Sequence, residues 1–201
     1  MSQTNFFNTQ VNPDKRLKWK SKKMSYLLRH NPEAENLDMD TNGWVFTQQL
    51  IKSISITMQE LETIVTTDNK SRFEFNETKE KIRACQGHNL GLNIEYPIYN
   101  GEGPIFHGTS VENAKAILES GSIKPMTRDL VHFSLDINTA IKVGSRHGKP
   151  VVFKIDLTQA RSDGIVFYKP TNNVVLCKEL PAKYLSLLEG GKQYVKSVFK
   201  R

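Results

Sequence analysis

The sequence predicts an α+β protein, built from a small helical lobe followed by a lobe of short, mostly antiparallel strands. Three observations carry this. Residues 15–75 alternate helix-capping signals with apolar residues at helical spacing. Residues 105–177 give short apolar runs bounded by Gly, Asn and Pro. Neither half carries the β-α-β alternation or the G-x-G-x-x-G turn of a doubly wound dinucleotide fold. The chain divides in expectation into an N-terminal extension, residues 1–14, a first lobe, 15–95, and a second lobe, 96–201.

The extension is polar and aperiodic and is expected to be disordered. Leu17, Met24, Leu27 and Leu28 then share one helical face, with Ser21 on the same stripe. This helix should end at Arg29 or His30, because a residue before proline avoids the helical region and Pro32 follows. Residues 36–42 read as an acidic loop closing in an Asn42-Gly43 turn. Trp44-Val45-Phe46 is a short extended piece, and Thr47 is expected to cap a helix to about Ser53. Thr57-Met58-Gln59-Glu60 is a capping box for a third helix carrying Leu61, Ile64 and Val65. Arg72-Phe73-Glu74-Phe75 alternates as a strand, with Ile82-Arg83-Ala84 as its partner after a turn near Glu77. Three helices and a two-stranded wing make a winged-helix arrangement.

The stretch from Ile82 to His88 joins the lobes with an arginine, a glycine and a histidine rather than an acidic or Pro-rich linker. It reads as the floor of a cleft. In the second lobe, Gly101-Glu102-Gly103 is expected to be a hairpin turn, since no Gly-Lys-Ser/Thr follows to make a phosphate loop. Ile105-Phe106-His107 is a strand. Thr109-Ser110-Val111-Glu112 is read as a capping box opening a helix that Gly121 ends. Strands are expected at 131–134, 151–157, 165–168 and 174–177, with a short helix from Asp136 or Asn138 to Val143. Residues 193–199 are a last edge strand or a helix.

The composition narrows the function. Among 201 residues, Lys and Arg number 28 against 21 Asp and Glu, a net charge of +7. That favours an acidic partner, nucleic acid first. Lys15, Arg16, Lys18, Lys20, Lys22, Lys23 and Arg29 occur with no acid among them; the plain alternative is a solvated helix face. No apolar run reaches the ~18 residues of a membrane span, and residues 1–14 lack the apolar core of a signal peptide. A cytoplasmic monomer is expected. Cys85 and Cys177 lack metal or redox spacing and read as small buried hydrophobes. No His spacing suggests metal, so no metal is expected.

All five histidines sit in informative surroundings: Arg29-His30, Gly87-His88, His107-Gly108-Thr109, Val131-His132-Phe133-Ser134 and Arg146-His147-Gly148. Taken in order with Leu27-Leu28-Arg29-His30-x-Pro, Ile82-Arg83-Ala-x-Gln86-Gly87-His88 and Val143-Gly144-x-Arg146-His147-Gly148, these stretches resemble the NAD-dependent RNA 2′-phosphotransferases. The resemblance runs from about Lys20 to Tyr184. The Arg-His helix end with Arg-Ala-x-Gln-Gly-His is specific, whereas His-Gly-Thr alone is shared by many ADP-ribosyltransferases.

The resemblance implies a winged-helix RNA lobe and an ADP-ribosyltransferase-like lobe. It implies an RNA substrate carrying an internal 2′-phosphate, as at a tRNA splice junction, and NAD+ as co-substrate. The phosphate attacks the anomeric carbon of the nicotinamide ribose and expels nicotinamide. The ribose 2″-hydroxyl then attacks the phosphate of the ADP-ribosylated RNA, giving 2′-hydroxyl RNA and ADP-ribose 1″,2″-cyclic phosphate. By the same resemblance Arg29, His30, Arg83 and Arg146 are catalytic, and His107, Gly108, Thr109, His132 and Ser134 bind NAD+. His30 is the better acid/base, since an arginine does not release its proton at neutral pH. Arg128 is a further phosphate contact or an ion-pair partner, and His88 and His147 are loop-shaping or functional with equal weight.

Two positions depart from the family pattern, Asn89 in place of Ser and Asn173 in place of Gly. Protein-modifying ADP-ribosyltransferases place a catalytic Glu on a late strand, but here Asn173-Val174-Val175-Leu176 is apolar and Glu179 follows it. A phosphate acceptor is already a nucleophile and needs no such base. The rival readings are ADP-ribosylation of terminal RNA or DNA phosphates, a non-catalytic RNA-binding module and a protein ADP-ribosyltransferase.

Overall fold

The computed structural model describes residues 13–188, and side chains from 15. It is mixed α and β with antiparallel sheets. The chain forms two compact units, divided between Ala84 and Cys85, inside the Ile82–His88 stretch. The disorder expected of 1–14, and the strand or helix expected at 193–199, concern segments outside the described residues, apart from the start of the first helix.

In the first unit, α1 (Pro13–His30), α2 (Thr47–Ile54) and α3 (Met58–Thr67) surround a three-stranded sheet. Its strands are β1 (Val45–Phe46), β2 (Phe73–Phe75) and β3 (Lys81–Ala84), in the order β1-β3-β2. The expected two-stranded pair therefore gains a third strand, because Val45 pairs with Ile82 and Phe46 with Lys81. Met24, Leu27, Leu28, Leu50, Leu61 and Ile82 fill the core. The Thr57–Glu60 capping box forms as read, with both reciprocal bonds present. Thr47 does not cap α2: Phe46 holds that position. Thr47 instead donates its hydroxyl to the Lys79 carbonyl at 2.8 Å, tying α2 to the turn before β3.

The basic run on α1 is partly consumed by the fold. Lys20 is buried, and its ammonium donates to the Ile54 carbonyl and, at 3.2 Å, to the Ser55 carbonyl. It thus satisfies carbonyls that the end of α2 leaves without intrahelical partners. Burial, then the charges of Arg16 and Lys23, lower its pKa. Arg16 pairs with Glu60 and Lys23 with Glu35.

In the second unit, a five-stranded antiparallel sheet is built from β4 (Phe106–Ser110), β6 (Val131–Ser134), β7 (Pro150–Ile155), β8 (Val174–Cys177) and β10 (Leu185–Leu187). The order is β10-β7-β4-β6-β8. A two-stranded sheet joins β5 (Ser122–Ile123) to β9 (Leu180–Pro181). The helices are α4 (Val111–Ser120), α5 (Ile137–Gly144) and α6 (Leu157–Ser162). One face of the large sheet buries Phe133, Val151, Phe153, Ile155, Val175 and Cys177 with Ala114 of α4, Ala160 of α6 and Phe167.

Several expectations need correction here. Ser110, not Thr109, caps α4, accepting from the Asn113 N–H at 3.2 Å. Thr109 is a buried strand residue. The strand expected at 151–157 stops at Ile155, because Asp156 caps α6 by accepting from the Gln159 N–H. Residues 165–168 give only isolated bridges, Tyr168 to Ile98 and to Leu176. Gly101-Glu102-Gly103 joins no hairpin, since no strand precedes it in this unit. Gly121 ends α4 at φ 79° and Asp136 caps α5, both as read.

Replacing Lys20 by Met keeps the stem but strips the ammonium from two carbonyls. It should cost about 1–3 kcal/mol, the range for polar groups left unmade in a protein interior. Urea unfolding of the variant checks this.

Candidate active site

Arg29 and His30 occupy the last turn of α1, where positive charge meets the exposed carbonyls of the helix end. Arg29 is half-buried and His30 exposed. The His30 ring lies 6.2 Å from that of Tyr26, one turn back. Arg83 is held more tightly. It sits on β3, the central strand, with Glu74 directly across on β2. Its Nε donates to Glu74 Oε1 at 2.7 Å, and its Nη1 donates to the Asn42 carbonyl at 3.1 Å. The guanidinium lies 4.4 Å from the centroid of the Trp44 ring. Asp40 fixes that tryptophan's backbone, accepting from the Asn42 and Trp44 N–H groups at 3.0 Å. The acidic loop is therefore a brace, and Arg83 is a planar cation of fixed orientation.

In the second unit the expected NAD+ residues lie on neighbouring strands, β4 and β6, yet not on one face. His107 pairs with Phe153, and Thr109 with Val151, so both belong to the core face. The His107 ring meets that of Phe133 edge-on at 5.9 Å. Gly108 pairs with Val152 on the opposite face. On β6, His132 and Ser134 alternate with the core residues Val131 and Phe133 and so share that opposite face.

His107 Nδ1 lies 3.1 Å from the His132 carbonyl. A carbonyl only accepts, so the proton is on Nδ1 and the neutral ring keeps an acceptor lone pair on Nε2. Burial lowers the pKa of His107, partly offset by the bond to the His132 carbonyl. His132 is fixed in its turn. Its Nδ1 donates to the Leu130 carbonyl at 2.9 Å, and its Nε2 is 2.6 Å from the Gln86 side-chain amide. Gln86 stood within the Arg-Ala-x-Gln-Gly-His stretch, but its partner, 46 residues away, could not be read from sequence. His88 is buried, and its carbonyl accepts from the Asp129 N–H at 3.0 Å.

A cavity of about 570 Å³ opens beside these groups, lined among others by His88, Asp129, His132, Tyr168 and Lys178. Its size is that of a small-molecule site. Arg146 is exposed just after α5, whose final turn it extends by donating its N–H to the Val143 carbonyl at 3.2 Å. Burial and then repulsion from Arg146 lower the pKa of Arg128. Glu179 lies past the end of β8, 3.7 Å from Lys124, so no carboxylate stands on that strand.

Gly108 has a role of its own in the fold. A Cβ there would fall 1.7 Å from the Ala140 carbonyl oxygen of α5, and one on Gly144 would fall 2.6 Å from the Thr109 carbonyl oxygen. The two glycines let α5 lie against β4, backbone on backbone.

Among the described residues, no group of three or more His, Cys, Asp or Glu is placed to hold a metal ion, and no helix is long and apolar enough to cross a membrane. Comparison with known proteins adds the following. A family model described as RNA 2′-phosphotransferase, Tpt1 / KptA family, matches residues 15–179. The chain is 40% identical to a probable RNA 2′-phosphotransferase of Hahella chejuensis, across 90% of this chain and 99% of the relative. It is 39% identical to one of Trichormus variabilis, across 84% and 94%. It is 38% identical to one of Streptomyces coelicolor, across 82% and 92%.

Gly108→Ala should destabilise the protein by about 1–3 kcal/mol or more, as overpacking does, because backbone and not a flexible side chain occupies the space. Chemical denaturation in the absence of any ligand checks this. His107 supplies a pH dependence. Its folded pKa lies below the ordinary ~6.5, so its contribution to stability is complete above that value. The contribution is lost as pH falls from there toward the folded pKa. His107→Asn should flatten that part of the stability–pH curve, measured by urea titrations at a series of pH values.

Proposed function

The chain belongs to the RNA 2′-phosphotransferase, Tpt1 / KptA family, and from that premise we propose that it removes an internal 2′-phosphate from RNA with NAD+ as phosphate acceptor. The observation that carries the reading is the match across residues 15–179, which spans all nine site residues named from sequence. On this reading the first unit is a winged-helix RNA lobe and the second an ADP-ribosyltransferase-like lobe that receives NAD+. The protein acts as a cytoplasmic monomer.

When bound, NAD+ supplies an electrophilic anomeric carbon with nicotinamide as neutral leaving group and, after that exchange, a 2″-hydroxyl that takes over the phosphate. The residues of the chain fit what this requires. The 2′-phosphate is a dianion and already a nucleophile, so the first step needs aim rather than a base. Arg83, locked between Trp44 and Glu74, presents a guanidinium that loses little further entropy on meeting an anion. Arg29 and Arg146 add charge to counter the phosphoryl oxygens as negative charge shifts among them in the second step. His30, exposed at the helix end, is the proton carrier: it relieves the 2″-hydroxyl of its proton or returns one to the RNA 2′-oxygen.

For the nucleotide, the cavity beside His132 offers adequate volume; His107, on the other face of the sheet and outside that lining, keeps an acceptor on Nε2. The absence of a carboxylate on β8 weighs against protein acceptors, which need a base to activate them. Transfer to a terminal phosphate would use the same cradle and differ in its product.

The test is a single-stranded RNA with one internal 2′-phosphate, incubated with and without NAD+ and weighed by mass spectrometry. The expected result is loss of one phosphate only with NAD+. A lasting gain of ADP-ribose would mean that the second step is lost or that the true acceptor differs, and an unchanged mass would reject the reading in favour of terminal-phosphate chemistry or a binding role. Arg29→Ala, His30→Ala, Arg83→Ala and Arg146→Ala should each slow turnover by about 100-fold or more, the range for removing a charge-stabilising group from a site.

A further inference from the structure

The α1 helix carries a second pattern on the side away from the core. At roughly 100° per residue, Lys15, Lys18, Trp19, Lys22, Tyr26, Arg29 and His30 fall on one stripe along its length, opposite Leu17, Met24 and Leu28. Trp19 is 55% exposed and Tyr26 50% exposed, although both are large aromatic residues and the first unit has a well-filled core. Lys15, Lys18 and Lys22 are exposed as well. The other cations of the run are committed elsewhere, Lys20 to the end of α2, Arg16 to Glu60 and Lys23 to Glu35. No acidic residue interrupts 15–30. The stripe ends in the Arg29-His30 pair.

Both rings have neighbours that hold them. The Lys23 ammonium lies 5.8 Å and the Lys20 ammonium 5.4 Å from the Trp19 ring centroid, so cations already sit near the indole. Tyr26 is anchored through its hydroxyl, which accepts from the Asn31 side-chain amide at 3.2 Å, and through its ring beside His30. Exposed rings interspersed with lysines one turn apart suit a single-stranded nucleic acid: bases with flat faces, joined by phosphates. A protein or lipid partner would more naturally meet a continuous apolar face. Here lysines separate the two aromatics.

We infer that this stripe is a stacking track for the single-stranded RNA that flanks the phosphorylated nucleotide, with Trp19 and Tyr26 receiving bases and Lys15, Lys18 and Lys22 following the phosphates toward Arg29-His30. The inference rests on the function proposed above and adds a substrate preference to it: an unpaired flank is bound better than a bare dinucleotide.

The experiment uses the full chain, wild type and Trp19→Leu/Tyr26→Leu, with two substrates: a 2′-phosphorylated dinucleotide, and a single-stranded RNA carrying the same dinucleotide within a longer sequence. The variant should raise KM for the long RNA about tenfold more than for the dinucleotide, as expected for losing base–aromatic stacking. A second variant, Lys18→Gln/Lys22→Gln, should make the salt dependence of long-RNA binding shallower by roughly 0.7 for each phosphate that is no longer neutralised. Equal KM changes for both substrates, or none, would overturn the track. Fluorescence anisotropy of labelled RNA reads binding without turnover and separates the two readings. If RNA binding weakens in the variants while the wild type removes no phosphate, the track stands and the proposed activity falls. If phosphate is removed and neither variant alters binding or KM of the long RNA, the track falls and the activity stands.

Discussion

The second unit depends on the contact between α5 and β4. Two backbones meet there with no side chain between them, at Gly108 against Ala140 and Gly144 against Thr109. The contact fixes two parts of the candidate site at once. It sets the strand that carries His107 and Thr109, and it sets the end of α5, from which Arg146 follows. Bulk at either glycine would separate these elements by the thickness of a methyl group or more. His-Gly-Thr is therefore a packing motif as well as a candidate binding motif. Its glycine answers to the helix behind the strand, whatever ligand lies in front.

The first unit solves a different problem, that of holding an arginine still. A lone guanidinium on a surface strand samples many rotamers and loses that freedom on binding an anion. Arg83 has already lost it, to Trp44, Glu74 and the Asn42 carbonyl. The carboxylate of Glu74 also tempers the affinity of Arg83 for an anion, because it shares the positive charge. The arrangement gives up strength for orientation, which suits a step limited by aim. Trp44 is held by Asp40, so the loop from 36 to 44 helps to fix Arg83 although none of its residues carries chemistry.

Local signals explain which elements were legible in the sequence. Caps and glycines are written in a few adjacent residues, so the Thr57 capping box, the Asp136 cap and the Gly121 stop were readable. Where two neighbours were both able to cap, as Thr109 and Ser110 are, the choice followed where the strand ends: Ser110 is the last residue of β4 and directly precedes α4. The helix α6 was missed because its apolar residues continue those of β7, and only the Asp156 side chain marks the change. The pairing of β2 with β3 was read, but the side-chain partners across strands were not. The partners of Arg83 lie 9 and 41 residues away, and the partner of His132 lies 46 away. The division of the candidate NAD+ residues between two sheet faces also followed only from register. The basic run was legible as charge but not as its uses, since burial of Lys20 depends on where α2 ends.

The chemistry of the acceptor connects these features. An enzyme that activates a hydroxyl or a protein side chain as nucleophile needs a base beside the electrophilic carbon. The late strand Val174–Cys177 carries no such base: its four side chains are all apolar or thiol. Burial pushes the Cys177 thiol up to about 12, so it supplies no thiolate at neutral pH. A phosphate monoester brings its own negative charge and asks instead for cations at fixed angles. In the first unit Arg83 is such a cation, oriented by its partners, and in the second His107 is held in a defined tautomer. On the reading proposed above, these features suit receiving a phosphate rather than creating a nucleophile.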